Sequence, residues 1–101
     1  MVSKTLVDGR ITYFVLKLLG CLLMHLKYYE QALDLFNTMR DIGYELLNWS
    51  IVMISFDFIG RVHQKSQHFK DAKVAYKNLL QLAWFVDSSE YEMRAYMGLA
   101  R

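Results

Sequence analysis

The sequence predicts an all-α fold, built of antiparallel helical hairpins stacked as an α-α superhelix. Three observations carry this reading. Proline is absent and glycine numbers only 5, so the punctuation of strands and tight turns is scarce. Leu, Met, Ala, Lys, Gln and Glu, all good helix formers, recur throughout. The third observation is a repeat. Gly20, Tyr29, Ala32 and Phe36 in the first half are matched by Gly60, Phe69, Ala72 and Tyr76 in the second, each pair 40 residues apart. A fixed period between about 20 and 50 residues is the signature of a repeat architecture. Gly98 follows Gly60 by 38 and is preceded by Met97 as Gly60 is by Ile59, which marks the start of a third unit.

The elements follow in order. A first helix is expected over 10–26, opened by Asp8 and Gly9. A second is expected over 29–42 and stops near Gly43. The third covers 46–66 and the fourth 69–86. A fifth starts after Ser89, where Ser89 and Glu92 are spaced as a capping box. The turns Lys27-Tyr28 and Gln67-His68 are short, and a short turn between helices forces an antiparallel hairpin. The chain therefore divides into a lead-in (1–9), hairpin one (10–44), hairpin two (45–87) and the first helix of a third unit (88–101).

Packing logic places the small residues. Gly20 is expected to face Ala32, and Gly60 to face Ala72, so that the helices of a hairpin approach closely. Phe36 and Tyr76 fill the wedge between successive hairpins. Leu16, Leu19, Phe56 and Ile59 supply the first-helix side of that core at helical spacing. Ala32, Leu35, Phe36 and Met39 make one apolar face, with Glu30, Asp34, Asn37 and Arg40 opposite.

These residues resemble the tetratricopeptide repeat, whose pattern runs from an aromatic or aliphatic residue through Leu-Gly to an aromatic, then Ala and an aromatic on the second helix. Here the units read Leu16, Leu19-Gly20, Leu23, Tyr29, Ala32, Phe36 and Phe56, Ile59-Gly60, His63, Phe69, Ala72, Tyr76. The usual repeat is about 34 residues. The longer offset here puts the extra length after Phe36 and Tyr76, and Tyr44 and Trp84 stand where the family often has proline. The resemblance implies a non-catalytic scaffold that binds a partner peptide or helix on the concave face of the first helices. Matching positions are Phe14, Lys17, Cys21, Met24 and His25, then Ile54, Asp57, Arg61, Gln64 and Lys65, with Glu92, Ala95 and Leu99 in the third unit. Lys17, Arg61 and Lys65 could hold an acidic group, and Phe14, Met24 and Ile54 apolar anchors. A Lys–Asn carboxylate clamp known in one branch of the family is broken, since Cys21 takes the Asn place. By resemblance, the setting is cytoplasmic, with cytoskeletal or ciliary assemblies as candidates.

Other chemistries find little support. A net charge of +2 does not argue for nucleic acid, and Lys70, Lys73 and Lys77 read as a solvated helix face. The segment 11–26 is apolar apart from Thr12, Lys17, Gly20 and His25. It is shorter than the roughly 20 residues of a membrane span, which leaves a membrane-associated piece, or a structural subunit of a large complex, as the alternative. The N-terminus lacks the apolar run and cleavage site of a signal peptide. Cys21 and His25 lie four apart on one face, but a structural zinc site needs four ligands. His63 and His68 read as packing and turn residues. No nucleophile elbow, phosphate loop or His-Glu-x-x-His occurs, so neither catalysis nor a cofactor is expected. Trp49, Trp84 and Phe85 exceed what two hairpins need, which suggests contacts beyond this chain.

Overall fold

The computed structural model describes residues 2–100, with side chains from residue 12 onward. Five helices follow one another: α1 Val2–His25, α2 Tyr29–Glu45, α3 Trp49–Lys65, α4 Phe69–Val86 and α5 Ser89–Ala100. Among the described residues there is no strand. Each helix packs on the next, and α3 also touches α5. The result is a stack of antiparallel hairpins with extents 41 × 34 × 17 Å. The thin dimension is that of two helix layers at the usual interaxial spacing of about 8–10 Å.

The turns explain the regularity. Lys27, Leu47, Gln67 and Asp87 all adopt positive φ, at 70°, 52°, 66° and 58°. They recur every 20 residues, as do the helix starts at 29, 49, 69 and 89. In each turn the amide after the left-handed residue reaches back across the helix end. Tyr28 N donates to Leu23 O (2.8 Å), Asn48 to Gly43 (2.9 Å), His68 to His63 (2.7 Å) and Ser88 to Ala83 (2.8 Å). The left-handed residue itself donates to the carbonyl three before it, as Lys27 N does to Met24 O at 3.1 Å. These are Schellman closures, which satisfy carbonyls that a helix end leaves without partners. The 40-residue repeat is thus two 20-residue helix-and-turn steps.

Several expectations are corrected. Helix α1 begins at Val2, so Asp8 and Gly9 lie within a helix and do not open one. Helix α2 runs through Gly43 to Glu45. Gly43 is a contact point and not a stop: a Cβ there would lie 2.7 Å from Val52 Cγ2 and 2.9 Å from the Val52 amide nitrogen. Of the two places open to the extra length after Phe36 and Tyr76, the second helices or the loops that follow them, it lies in the helices. The cap of α5 is one residue earlier than the spacing implied. Ser88 Oγ accepts from Tyr91 N at 3.4 Å, as Asn48 Oδ1 accepts from Ile51 N at 3.3 Å in α3.

The nearest neighbours of Gly20 and Gly60 are rings. A Cβ on Gly20 would sit 2.6 Å from Phe36, and one on Gly60 would sit 2.6 Å from Tyr76. Phe36 is fully buried, held between Gly20 and a stacked Phe58 (centroids 4.9 Å apart, planes 7°). Tyr76 is held between Gly60 and Gly98. Gly98 is therefore the register mate of Phe58, exactly as the helix starts at 49 and 89 require, and not of Gly60.

Two core clusters fill the stack. Ala32, Phe36 and Met39 of α2 meet Ile51, Phe58, Ile59 and Val62 of α3. On the other side of α3, Val52, Met53 and Phe56 meet Ala72, Tyr76, Leu79, Leu80 and Ala83 of α4 and Ala95 of α5. Helix α3 is covered on both sides and buries residues on nearly every turn. Helix α1 is covered on one. Leu16 packs on the core, but Val15, Leu18, Leu19, Leu22 and Leu26 form an exposed stripe, so Leu19 is not the core residue its spacing suggested. The register mates of Leu18, Leu19 and Leu22 are Phe58, Ile59 and Val62, which pack against α2. Among the described residues, no helix is long and apolar enough to cross a membrane.

Candidate functional site

The odd-numbered helices share one layer. Tyr13 on α1 lies within electrostatic reach of Tyr91 on α5 and, with Glu90 and Asp57, offsets part of the opposing pull of Arg94; burial remains the main cause that raises the Tyr91 phenol. Helices α3 and α5 pack side by side on this face. On it, between α3 and α5, opens a groove of about 540 Å³ lined by Asp57, Arg61, Gln64, Lys65, Tyr76, Arg94, Met97 and Gly98.

The groove is organised around one carboxylate. Asp57 is buried (3% exposed) in the middle of α3, where an unpaired charge would be costly. Its Oδ2 meets Arg61 Nη2 at 3.2 Å, one helical turn on, and Arg94 Nη1 at 3.4 Å from α5. Each guanidinium is braced by a ring: Arg61 lies 5.4 Å from the Phe58 centroid and Arg94 lies 5.2 Å from that of Tyr91. Arg94 Nη2 also pairs with Glu90 at 3.1 Å. At the other end, Gln64 Nε2 donates to the Gly98 carbonyl at 3.0 Å and its Oε1 accepts from the Tyr76 hydroxyl at 3.4 Å. Gln64 thereby ties α3 to both α4 and α5. Lys65 makes no ion pair with a described residue.

Of the positions read from the sequence, Asp57, Arg61, Gln64 and Lys65 come together in this groove. Lys17 and Cys21 lie on the same face beside Arg61: burial pushes the Cys21 thiol up, and the charges of Lys17 and Arg61 draw it partly back. Met24 and Ile54 are half-buried and pack against the α2–α3 core, while Phe14 and His25 are exposed away from the groove. The third-unit positions are displaced. Ala95 is fully buried, and Leu99 packs on the α4–α5 core. The groove takes Arg94, Met97 and Gly98 from α5 instead. The cause is the register of Gly98: counting from it as a mate of Gly60 slips the third unit by two residues, about 200° around a helix. The matching caps Asn48 and Ser88 carry the signal that recovers Arg94, since 54 + 40 = 94.

Among the described residues, no three His, Cys, Asp or Glu side chains converge as a metal-binding group. His63 packs edge-on to His68 (centroids 6.1 Å apart) with its Nδ1 buried and without a partner among the described residues. A second, shallower feature lies on the even-helix side. Tyr44, Phe56, Asn78, Gln81, Leu82 and Phe85 line a hollow of about 310 Å³, and Tyr44, Trp49 and Phe85 form a chain of edge-to-face rings beside it. No family model, curated protein or solved structure matches the chain.

Proposed function

We propose that this chain is a non-catalytic protein-interaction scaffold, which takes a partner's peptide or helix on the face formed by α1, α3 and α5. The supporting observation is the groove between α3 and α5. Here charged and polar groups from three helices, tied to one another by ion pairs and hydrogen bonds, surround an open volume of about 540 Å³. Groups fixed by mutual ion pairs and hydrogen bonds before a ligand arrives lose little freedom on binding. The tetratricopeptide resemblance points to the same face, and with it to a cytoplasmic setting.

A photo-crosslinking amino acid at Lys65, compared with one at Lys73 on α4, tests the proposal in cell extract. Adducts to a discrete protein at position 65 and none at 73 are expected. Adducts at 73 alone would move binding to the even-helix side. A second reading, a structural subunit of a larger assembly, has its own observation: the open stripe on α1 together with Trp84 and Phe85, which are 55% and 76% exposed. That reading expects crosslinks from Leu18 or Phe85 and none from position 65.

A further inference from the structure

We propose that the groove between α3 and α5 recognises a carboxylate on a partner peptide, with Arg61 and Arg94 as paired arms and Asp57 as the fixed post that sets them. This rests on the scaffold reading above and names the chemistry of its ligand. The sequence suggested Lys17, Arg61 and Lys65 as separate cations on a face. The structure joins Arg61 to Arg94, 33 residues away on another helix, through one oxygen of one buried carboxylate.

The donor inventory supports a ligand. Arg61 commits Nη2 to Asp57, and its Nε and Nη1 have no partner among the described residues. Arg94 commits Nη1 to Asp57 and Nη2 to Glu90, which leaves Nε and the second N–H of each Nη. Both side chains remain partly exposed, at 45% and 39%, and both line the groove. Guanidinium donors are suited to carboxylate geometry, and rings braced beneath them restrict their motion. The charge balance favours an anion: Arg61, Lys65 and Arg94, with Lys17 on the same face, outnumber the carboxylates of Asp57 and Glu90. Met97 lies 54% exposed in the same groove, so an apolar neighbour beside the acidic residue would have a surface to cover.

The carboxylate could be a Glu or Asp side chain or a chain terminus, and one peptide set separates them. Fluorescence anisotropy would be read on the full chain with a labelled octapeptide of alternating Leu and Glu, its Leu-Gln counterpart, and each with a free or amidated C-terminus. The amidated Glu peptide is expected to bind roughly tenfold tighter than the amidated Gln peptide, the size of one charge-assisted contact. If the free terminus alone restores binding to the Gln peptide, the site is still a carboxylate site and reads chain ends. Arg61→Gln and Arg94→Gln should each abolish the Glu-over-Gln preference, and Lys77→Gln on the outer face of α4 should leave it intact. Equal binding of all four peptides, free or amidated, overturns the proposal. So does an equal loss from Lys77→Gln, which would reduce the effect to net charge. The peptide comparison on the unaltered chain stands even if an Arg variant misfolds. Crosslinking at Lys65 without any Glu preference would retain the scaffold and discard the carboxylate.

Discussion

Gly60 shows how closely single residues are specified. A side chain there would have to displace the Tyr76 ring, which is itself pinned from the far side by Gly98. Gly60→Leu should therefore cost about 1–3 kcal/mol or more by overpacking. Lys73→Ala on an exposed face should stay within about 0.5 kcal/mol. Urea denaturation of the two variants checks this, and equal midpoints would refute the contact. His63 supplies a pH effect. Burial, the larger cause, and the nearby His68 push its imidazole down from the usual value, while Asp71 raises it partly back. Its folded-state pKa lies below the unfolded one, so the unfolded chain takes up the proton first. Stability should then fall as pH drops below about 6.5, the unperturbed value, and flatten once the folded form also protonates. Replacing His63 with Gln should flatten the difference between denaturation at pH 7.5 and pH 5.

At the scale of elements, the turns are where sequence and structure part. The helices and their 40-residue offset were legible because Gly20, Tyr29, Ala32 and Phe36 recur in register as Gly60, Phe69, Ala72 and Tyr76, whereas the rings that Gly20 and Gly60 press against were not. The 20-residue step was not legible. None of Lys27, Leu47, Gln67 and Asp87 is glycine, although all four occupy the left-handed conformation that glycine favours. Leu47 is the clearest liability, with positive φ and 72% exposure. Leu47→Gly should stabilise by about 0.5–1 kcal/mol, since relief of left-handed strain exceeds the added chain entropy. Thermal unfolding would read this as a rise of several degrees. A fall would mean that Leu47 makes contacts worth more than the strain. Arg94 was missed for a related reason: Gly98 presents the same small-against-ring contact as Gly60, but from the opposite side of Tyr76, and so it mimicked the wrong register.

For the whole molecule, burial is graded along the stack. Helix α3 is enclosed by α2 and α4, whereas α5 buries Ala95 alone among its described residues, and α1 leaves its leucine stripe open. In a stack held by contacts between neighbours, stability follows the number of covered sides. Amide exchange should be slowest in α3 and α4 and fastest in α1 and α5. Uniform protection across all five helices would instead indicate a single cooperative block. The groove sits across the α3–α5 contact, where the well-protected centre meets the less protected end, so a bound ligand should slow exchange in α5 most.

The even spacing of the helix starts also bears on how the chain is made. Because every helix docks on the one before it, contacts stay local in sequence, which favours rapid folding. A ribosome adding about 5–20 residues per second would release one helix-and-turn step every few seconds. Each step would find its docking surface already assembled, so the polypeptide could fold in the order in which it is synthesised, with Phe36 and Tyr76 each completing their packing only when the following odd-numbered helix arrives.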